Sequence, residues 1–168
     1  MSAESIIFAD TNQRYKINIP VNIIGLIREF CKSAKHCETG GILIGRYSAD
    51  HTTAIISEVS PPPPDSRSGH SWFQRGNKGL RQLLVKHWQG TERLFYLGEW
   101  HYHPLFVPEP SIQDQQQMEA ISRDPKYHCS EPILIISTAG TDQGNHNYFE
   151  IYPYIFPSRE PMIKLQKC

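Results

Sequence analysis

The sequence predicts an α/β (α+β) fold, a mixed β-sheet flanked by helices, and three observations predict it. Short apolar runs bounded by turn residues recur along the chain, as buried strands do. Two intervening stretches carry apolar residues at helical spacing, and a third opens on a residue suited to cap a helix. The resulting order, β-β-α-β-β-α-β-α-β-β, describes a mixed sheet with helices covering it. With 168 residues, the chain suits one domain spanning 1–168, long enough to bury roughly 70% of its unfolded surface.

Ser5 to Phe8 and Tyr15 to Ile19 form a hairpin joined at Thr11-Asn12-Gln13. Pro20 then opens a helix over Val21 to Ala34, with Ile23, Ile24, Leu26, Ile27, Phe30 and Cys31 as its apolar stripe. A strand follows from Gly40-Gly41 through Ile42-Leu43-Ile44-Gly45. No Lys-Ser/Thr follows the glycines and they open a strand, not a helix, so a phosphate cradle is excluded and close backbone approach explains them. Thr53 to Val59 is another strand, and Pro61 to Pro64 stiffen the loop after it through polyproline II geometry. Ser71 to Gln74 is a short strand. Lys78 to Trp88 is a helix with Leu80, Leu83, Leu84 and His87 on one face. Further on, Arg93 to Leu97 leads a strand toward Gly98, Ser111 to about Arg123 is a helix, and Pro132 to Thr138 and Tyr148 to Ile155 are strands around a glycine- and asparagine-rich turn at Ala139 to Asn147.

Lysine plus arginine and aspartate plus glutamate each number 17, giving a formal net charge of +0. Interspersed charges of both signs are not the basic footprint of a nucleic-acid binder or a membrane-surface protein. The first residues lack a basic and apolar leader, and no run approaches the ~20 apolar residues of a membrane span. The expected location is cytoplasmic. Cys31, Cys37, Cys129 and Cys168 include no C-x-x-C pair, so neither a zinc ribbon nor a disulfide framework is expected.

The chemistry gathers at Gly98-Glu99-Trp100-His101-Tyr102-His103-Pro104. In a strand, side chains alternate faces, so His101 and His103 share one side while Trp100 and Tyr102 pack on the other. Asp114 is the nearest well-placed carboxylate, reached through the Pro104 to Pro110 turn. Ser111 has N-cap chemistry, and Asp114 falls in the first helical turn, where the helix dipole favours an anion. Two imidazoles and a carboxylate leave a fourth tetrahedral position for water, the arrangement of catalytic zinc. A lone histidine would be an ordinary core residue; two histidines, a carboxylate and a serine in this order are not. His36, His51, His70, His87, His128 and His146 lack such neighbours and are expected at the surface or in packing.

Glu38 ahead of Gly40-Gly41, His101-x-His103-Pro104 and Ser111-x-x-Asp114, with ten residues between His103 and Asp114, resemble the motif of the JAMM (MPN-plus, JAB1/Mov34) metalloproteases. The resemblance covers most of the chain and implies the JAMM/MPN, cytidine-deaminase-like architecture. It also implies zinc held by His101, His103 and Asp114, a general base at Glu38, and an oxyanion-stabilising hydroxyl at Ser111. The Gly-Glu-Trp-His-x-His-Pro run with the upstream Pro-rich loop, Asp65-Ser66-Arg67 and Trp72-Phe73 is similar to the stand-alone bacterial JAB isopeptidases of CBASS antiphage operons. Those act beside ubiquitin-like E1 and E2 proteins, which implies removal of a protein conjugate whose target is a cyclic-oligonucleotide synthase. Deconjugation in another bacterial ubiquitin-like system and a non-catalytic MPN scaffold are the alternatives; the intact ligand set disfavours the scaffold. An iron(II) oxygenase also uses two histidines and a carboxylate, but its sites usually read His-x-Asp/Glu with a distant His, and Glu38 would have no task there. A nucleophilic role for Cys37 is weighed against that of a plain thiol beside Glu38, and the plain thiol is preferred.

Overall fold

A computed structural model describes residues 4–141 and 147–168. Its centre is a nine-stranded mixed sheet. The first hairpin pairs β1 (Ser5–Ala9) antiparallel with β2 (Lys16–Pro20). Helix α1 covers Val21–Ala34, the predicted span, because Pro20 ends the extended segment in a conformation that admits the first turn. Its buried line is Ile23, Ile27 and Cys31, spaced by four. Leu26, expected on that stripe, is exposed, because it lies one residue round the helix from the line that meets the sheet.

Strand β3 (Thr39–Tyr47) pairs antiparallel with β4 (Thr53–Val59) on one side and with β7 (Phe95–Tyr102) on the other. Between them in sequence lie a two-stranded ribbon, β5 (Arg67–Ser68) with β6 (Phe73–Gln74), and helix α2 (Leu80–Gln89). The helix begins two residues later than expected, since Gly79 before it takes a left-handed conformation at φ 85. After β7 come α3 (Ile112–Arg123), then β8 (Ile133–Thr141) and β9 (Asn147–Ile155), which pair antiparallel. Of the turn that the sequence marks at Ala139 to Asn147, Ala139–Thr141 and Asn147 belong to the two strands, which pair beyond the expected ends; the rest, with His146, lies in 142–146, outside the described residues. Three strands were not anticipated: β5 of the ribbon, β10 (Ile163–Lys164), which extends the sheet beyond β9, and β11 (Gln166–Lys167), which pairs with β1 at the opposite edge. The sheet order is β10-β9-β8-β7-β3-β4-β2-β1-β11.

Both faces of the sheet are covered. One core joins α1 to Leu43, Leu97, Trp100 and Tyr102; the other joins Met118 and Ile121 of α3 and the leucines of α2 to Ile42, Ile44, Tyr96, Leu134 and Ile136. Trp100, fully buried, stacks on Phe30 at 5.7 Å and donates its indole N–H to the Ser60 carbonyl at 3.0 Å. The expected packing role of Trp100 and Tyr102 is what the structure gives them. At its Gly40-Gly41 end β3 pairs with β7 alone, its pairing with β4 beginning at Leu43. Among the described residues no helix is long and apolar enough to cross a membrane.

One irregularity decides which way the site faces. Leu43 pairs with Gly98 but Ile44 pairs with Tyr96, so Leu97 is an extra residue in β7. Such a bulge resets the alternation of side chains. Leu97 and Trp100 therefore face the α1 core, while Tyr96 faces the other core. Glu99 and His101 share the side of Tyr96.

Candidate metal centre

His101 lies in the last turn-free stretch of β7, and His103 follows immediately after it. The backbone N–H of His103 donates to Ser137 in β8 at 2.9 Å, which holds the residue in line with the strand. Asp114 approaches from the first turn of α3. There Ser111 and Asp114 form a capping box: the Asp114 N–H donates to the Ser111 Oγ at 3.1 Å, and the Ser111 N–H donates to the Asp114 Oδ2 at 2.8 Å. Both satisfy amides that the helix leaves free. The box fixes the carboxylate against the two imidazoles, all three side chains being buried.

Asp114 Oδ1 is 2.8 Å from His101 Nδ1, and Asp114 Oδ2 is 3.3 Å from His103 Nε2. Among the described residues no trio of His, Cys, Asp or Glu side chains is spread around a common ion position; here the three are drawn onto one another. The separation expected between ligand atoms of tetrahedral zinc, with bonds of ~2.0–2.1 Å, is about 3.3 Å. The His103 pair has that spacing; the His101 pair is closed by a direct hydrogen bond. Binding an ion would replace that hydrogen bond.

The nitrogen atoms are turned correctly for that. His103 Nδ1 donates to the Val107 carbonyl at 2.8 Å, which leaves Nε2 with its lone pair when the ring is neutral. This Nε2 is buried and makes no hydrogen bond of acceptable geometry, its 3.3 Å approach to Asp114 notwithstanding. A buried polar atom without a partner is costly, and a metal would satisfy it. His101 Nε2 faces Glu99 Oε2 at 3.1 Å, which leaves Nδ1 toward Asp114. Two imidazole nitrogens and one carboxylate suit zinc, and the residues present fit it.

The three side chains interact as paired charges. Burial disfavours the charged form of His101, but hydrogen bonds to Asp114 and Glu99 outweigh it and lift the imidazole to about 9. Burial likewise pushes the Asp114 carboxyl up, yet His101 and His103 hold it well below the usual carboxylate range.

Glu38 stands just before β3. Its backbone N–H donates to the Gly69 carbonyl at 2.8 Å. Since Thr39 pairs with Tyr102, the antiparallel register carries Glu38 to the level of His103. Its carboxyl is raised, first by burial and also by the nearby Asp114, against the opposing effect of His103 and His101. Gly40 explains itself here, as a Cβ would meet the Trp100 carbonyl oxygen at 2.4 Å and the His101 ring at 2.8 Å. All five residues singled out in the sequence converge at one end of β3 and β7.

The sequence reading missed the layer behind them. Glu99 is fully buried between His101 and Arg75, whose Nε is 2.8 Å from Glu99 Oε1. Phe73 lies edge-on against the His101 ring with centroids 5.5 Å apart. Alternation backward from His101 points to Glu99; nothing local points to Arg75. Of the other histidines, His70 is exposed and touches the His36 carbonyl at 2.9 Å. The four cysteines form no disulfide; Cys31 is buried and Cys37 half-buried.

Two imidazoles and a carboxylate thus meet where a strand end faces the first turn of a capped helix, with a second carboxylate just before the neighbouring strand. The chain belongs to the family described as prokaryotic homologs of the JAB domain, whose profile matches residues 20–151. It is 43% identical over 136 residues to a protein of Enterobacter hormaechei subsp. hoffmannii named CD-NTase/cGAS isopeptidase, covering 81% of this chain and 74% of that one. A Pseudomonas aeruginosa protein of the same name is 32% identical over 124 residues, covering 72% of each. Among solved structures, the solution structure of a Desulfitobacterium hafniense protein aligns with a TM-score of 0.54 at 17% identity, covering 89% of this chain and 88% of that one. That likeness concerns the fold.

Proposed function

We propose that this chain is a zinc-dependent isopeptidase, working as one domain, that hydrolyses the amide bond after the C-terminus of a conjugated protein. The observation that carries the reading is the convergence of Glu38, His101, His103, Ser111 and Asp114 around one buried Nε2 that has no hydrogen-bond partner. His101, His103 and Asp114 would hold the ion. Zinc, when bound there, supplies a water of lowered pKa and a Lewis acid for the scissile carbonyl.

The chain's own residues do the rest. Glu38 takes a proton from the attacking water and passes it to the leaving amine, a role that typically contributes 10²–10⁴-fold. Burial raises its carboxyl, which brings the group closer to the pKa that a base working near neutrality needs. Ser111 accepts the Asp114 N–H through its oxygen, so its own O–H proton remains free to donate to the developing oxyanion. No covalent intermediate on the protein is required.

The substrate reading rests on the relatives' name for the CD-NTase and on the sequence resemblance for the E1-E2 protein and the operon. It is a conjugate of a CD-NTase, made by the E1-E2 protein of a CBASS operon, with the cut after the CD-NTase tail; the work is regulation of antiviral defence in the cytoplasm. Exposed apolar residues stand next to the site residues along the chain: Trp72 before β6, Leu105, Phe106 and Val107 after His103, and Ile112 beside Ser111. Apolar residues beside a polar centre suit an extended peptide tail. The deciding experiment incubates zinc-loaded protein with a CD-NTase-tail fusion and with ubiquitin chains, then maps products by mass spectrometry. Cleavage at the tail junction with ubiquitin chains left intact is expected. An intact fusion, or efficient cutting of ubiquitin chains, overturns the substrate assignment.

A further inference from the structure

We propose that Glu99, held in place by Arg75, is a positioning residue that fixes His101 for metal binding; this rests on the zinc reading above. Glu99 is a carboxylate with no exposed surface, two residues before His101 and on the same face of β7. Its two oxygens are divided between two tasks. Oε1 accepts from Arg75 Nε at 2.8 Å, and Oε2 faces His101 Nε2 at 3.1 Å with the Gln117 amide at 3.3 Å. A carboxylate paired to a guanidinium can only accept, so the proton on His101 sits at Nε2 and the lone pair of the neutral ring sits at Nδ1, on the Asp114 side. Glu99 thus selects the tautomer and sets the ring plane.

Arg75 is itself pinned. Its Nη1 donates to the Gly76 carbonyl and to Asn77 Oδ1, both at 2.8 Å, and the side-chain exposures of Arg75 and Glu99 are 5% and 0%. A buried ion pair placed only for stability would have no reason to spend its second oxygen on a ligand's ring. Carboxylates that hold the far nitrogen of a metal-binding histidine raise its basicity and orient it, and their loss typically costs 10–100-fold in metal affinity or activity.

The test measures zinc affinity by competition with a chromophoric chelator, alongside thermal unfolding. Glu99→Gln keeps the shape but loses the charge, and is expected to bind zinc about 10–100-fold more weakly. The double variant Glu99→Gln/Arg75→Met removes both charges, leaves no buried cation unpaired, and carries the measurement should the single variant unfold. It is expected to regain stability but not zinc affinity. Wild-type affinity in Glu99→Gln, or its return in the double variant, overturns the inference and leaves Glu99 a structural ion-pair partner. A wild-type protein that takes up no zinc overturns the proposed function, and this inference with it.

Discussion

Gly98 stands so close to Ile133 that a methyl group on its α-carbon would fall 1.9 Å from the Ile133 carbonyl oxygen. The two residues pair across β7 and β8, and Gly98 sits at φ 150 beside the bulge that turns Glu99 and His101 to their common face. Neither strand can withdraw without disturbing the centre of the sheet. Gly98→Ala is therefore expected to cost on the order of 3 kcal/mol, read as a lower urea midpoint. A midpoint equal to wild type would show that β8 yields freely at this point.

Metal content tests the donor set directly. About one zinc per chain is expected from a single tetrahedral site, removable by chelation together with peptidase activity. Asp114→Asn keeps an acceptor for the Ser111 N–H and thus the helix cap, yet removes the anionic ligand. It should fold normally and lose both metal and turnover; full activity in metal-free protein, checked by elemental analysis, refutes the role assigned to zinc.

Proton transfer and oxyanion stabilisation separate by substitution. Glu38→Gln should retain fold and zinc while turnover drops by about 10²–10⁴. Ser111→Ala should lose about 10²–10³ in kcat and, with its cap gone, ~1 kcal/mol of stability. Cys37→Ser should stay active, and alkylation should leave Cys31 and Cys129 unmodified, since burial pushes both thiols up to about 12. A trapped thioester on Cys37 would instead make this a cysteine enzyme.

Acid stability should depend on Asp10, in the turn between β1 and β2. Its Oδ1 accepts from the Tyr15 N–H at 2.7 Å and its Oδ2 from the Asn12 N–H at 3.3 Å. Burial pushes this carboxyl up, but those amides and that of Arg14 outweigh it and hold it below the ordinary value. A group depressed on folding stabilises above its unfolded pKa, about 4, and loses that contribution as pH falls through its folded value. Asp10→Asn should be less stable than wild type at pH 7, with the gap closing toward pH 2. A constant gap across that range would mean that ionisation of Asp10 contributes nothing.

Where one short stretch of chain decides the structure, the sequence was readable. Pro20 and the four-residue spacing of Ile23, Ile27 and Cys31 delimit α1 on their own, and Ser111 three residues before Asp114 announces the cap of α3. The five residues that meet at the end of β3 and β7 stood out in the sequence because few side chains can ligate an ion and at few spacings, which picks out His101, His103 and Asp114, while Glu38 and Ser111 stood out through the resemblance to the JAMM motif. What escaped depends on distant partners. A two-residue strand such as β11 has no periodicity to display and exists only because β1 has an open edge. Arg75 meets Glu99 across 24 positions, a pairing created by the fold of the ribbon before α2. Leu26 shows the reverse error: hydrophobicity alone does not say how wide a stripe the sheet will cover.

The site joins two parts of the molecule with unequal resistance to opening. His101 belongs to a strand flanked by β8 and β3 in the interior of the sheet, whereas Asp114 and Ser111 occupy the end of a helix anchored to the core through Met118 and Ile121. Helix ends fray at lower free energy than central strands do. An ion shared between His101, His103 and Asp114 would therefore act as a rivet from the slow-exchanging middle to the fast-exchanging periphery. Deuterium uptake on loading should fall at the amides from Asp114 through Met118, while those of Trp100 and Tyr102, already sheltered, keep their rate.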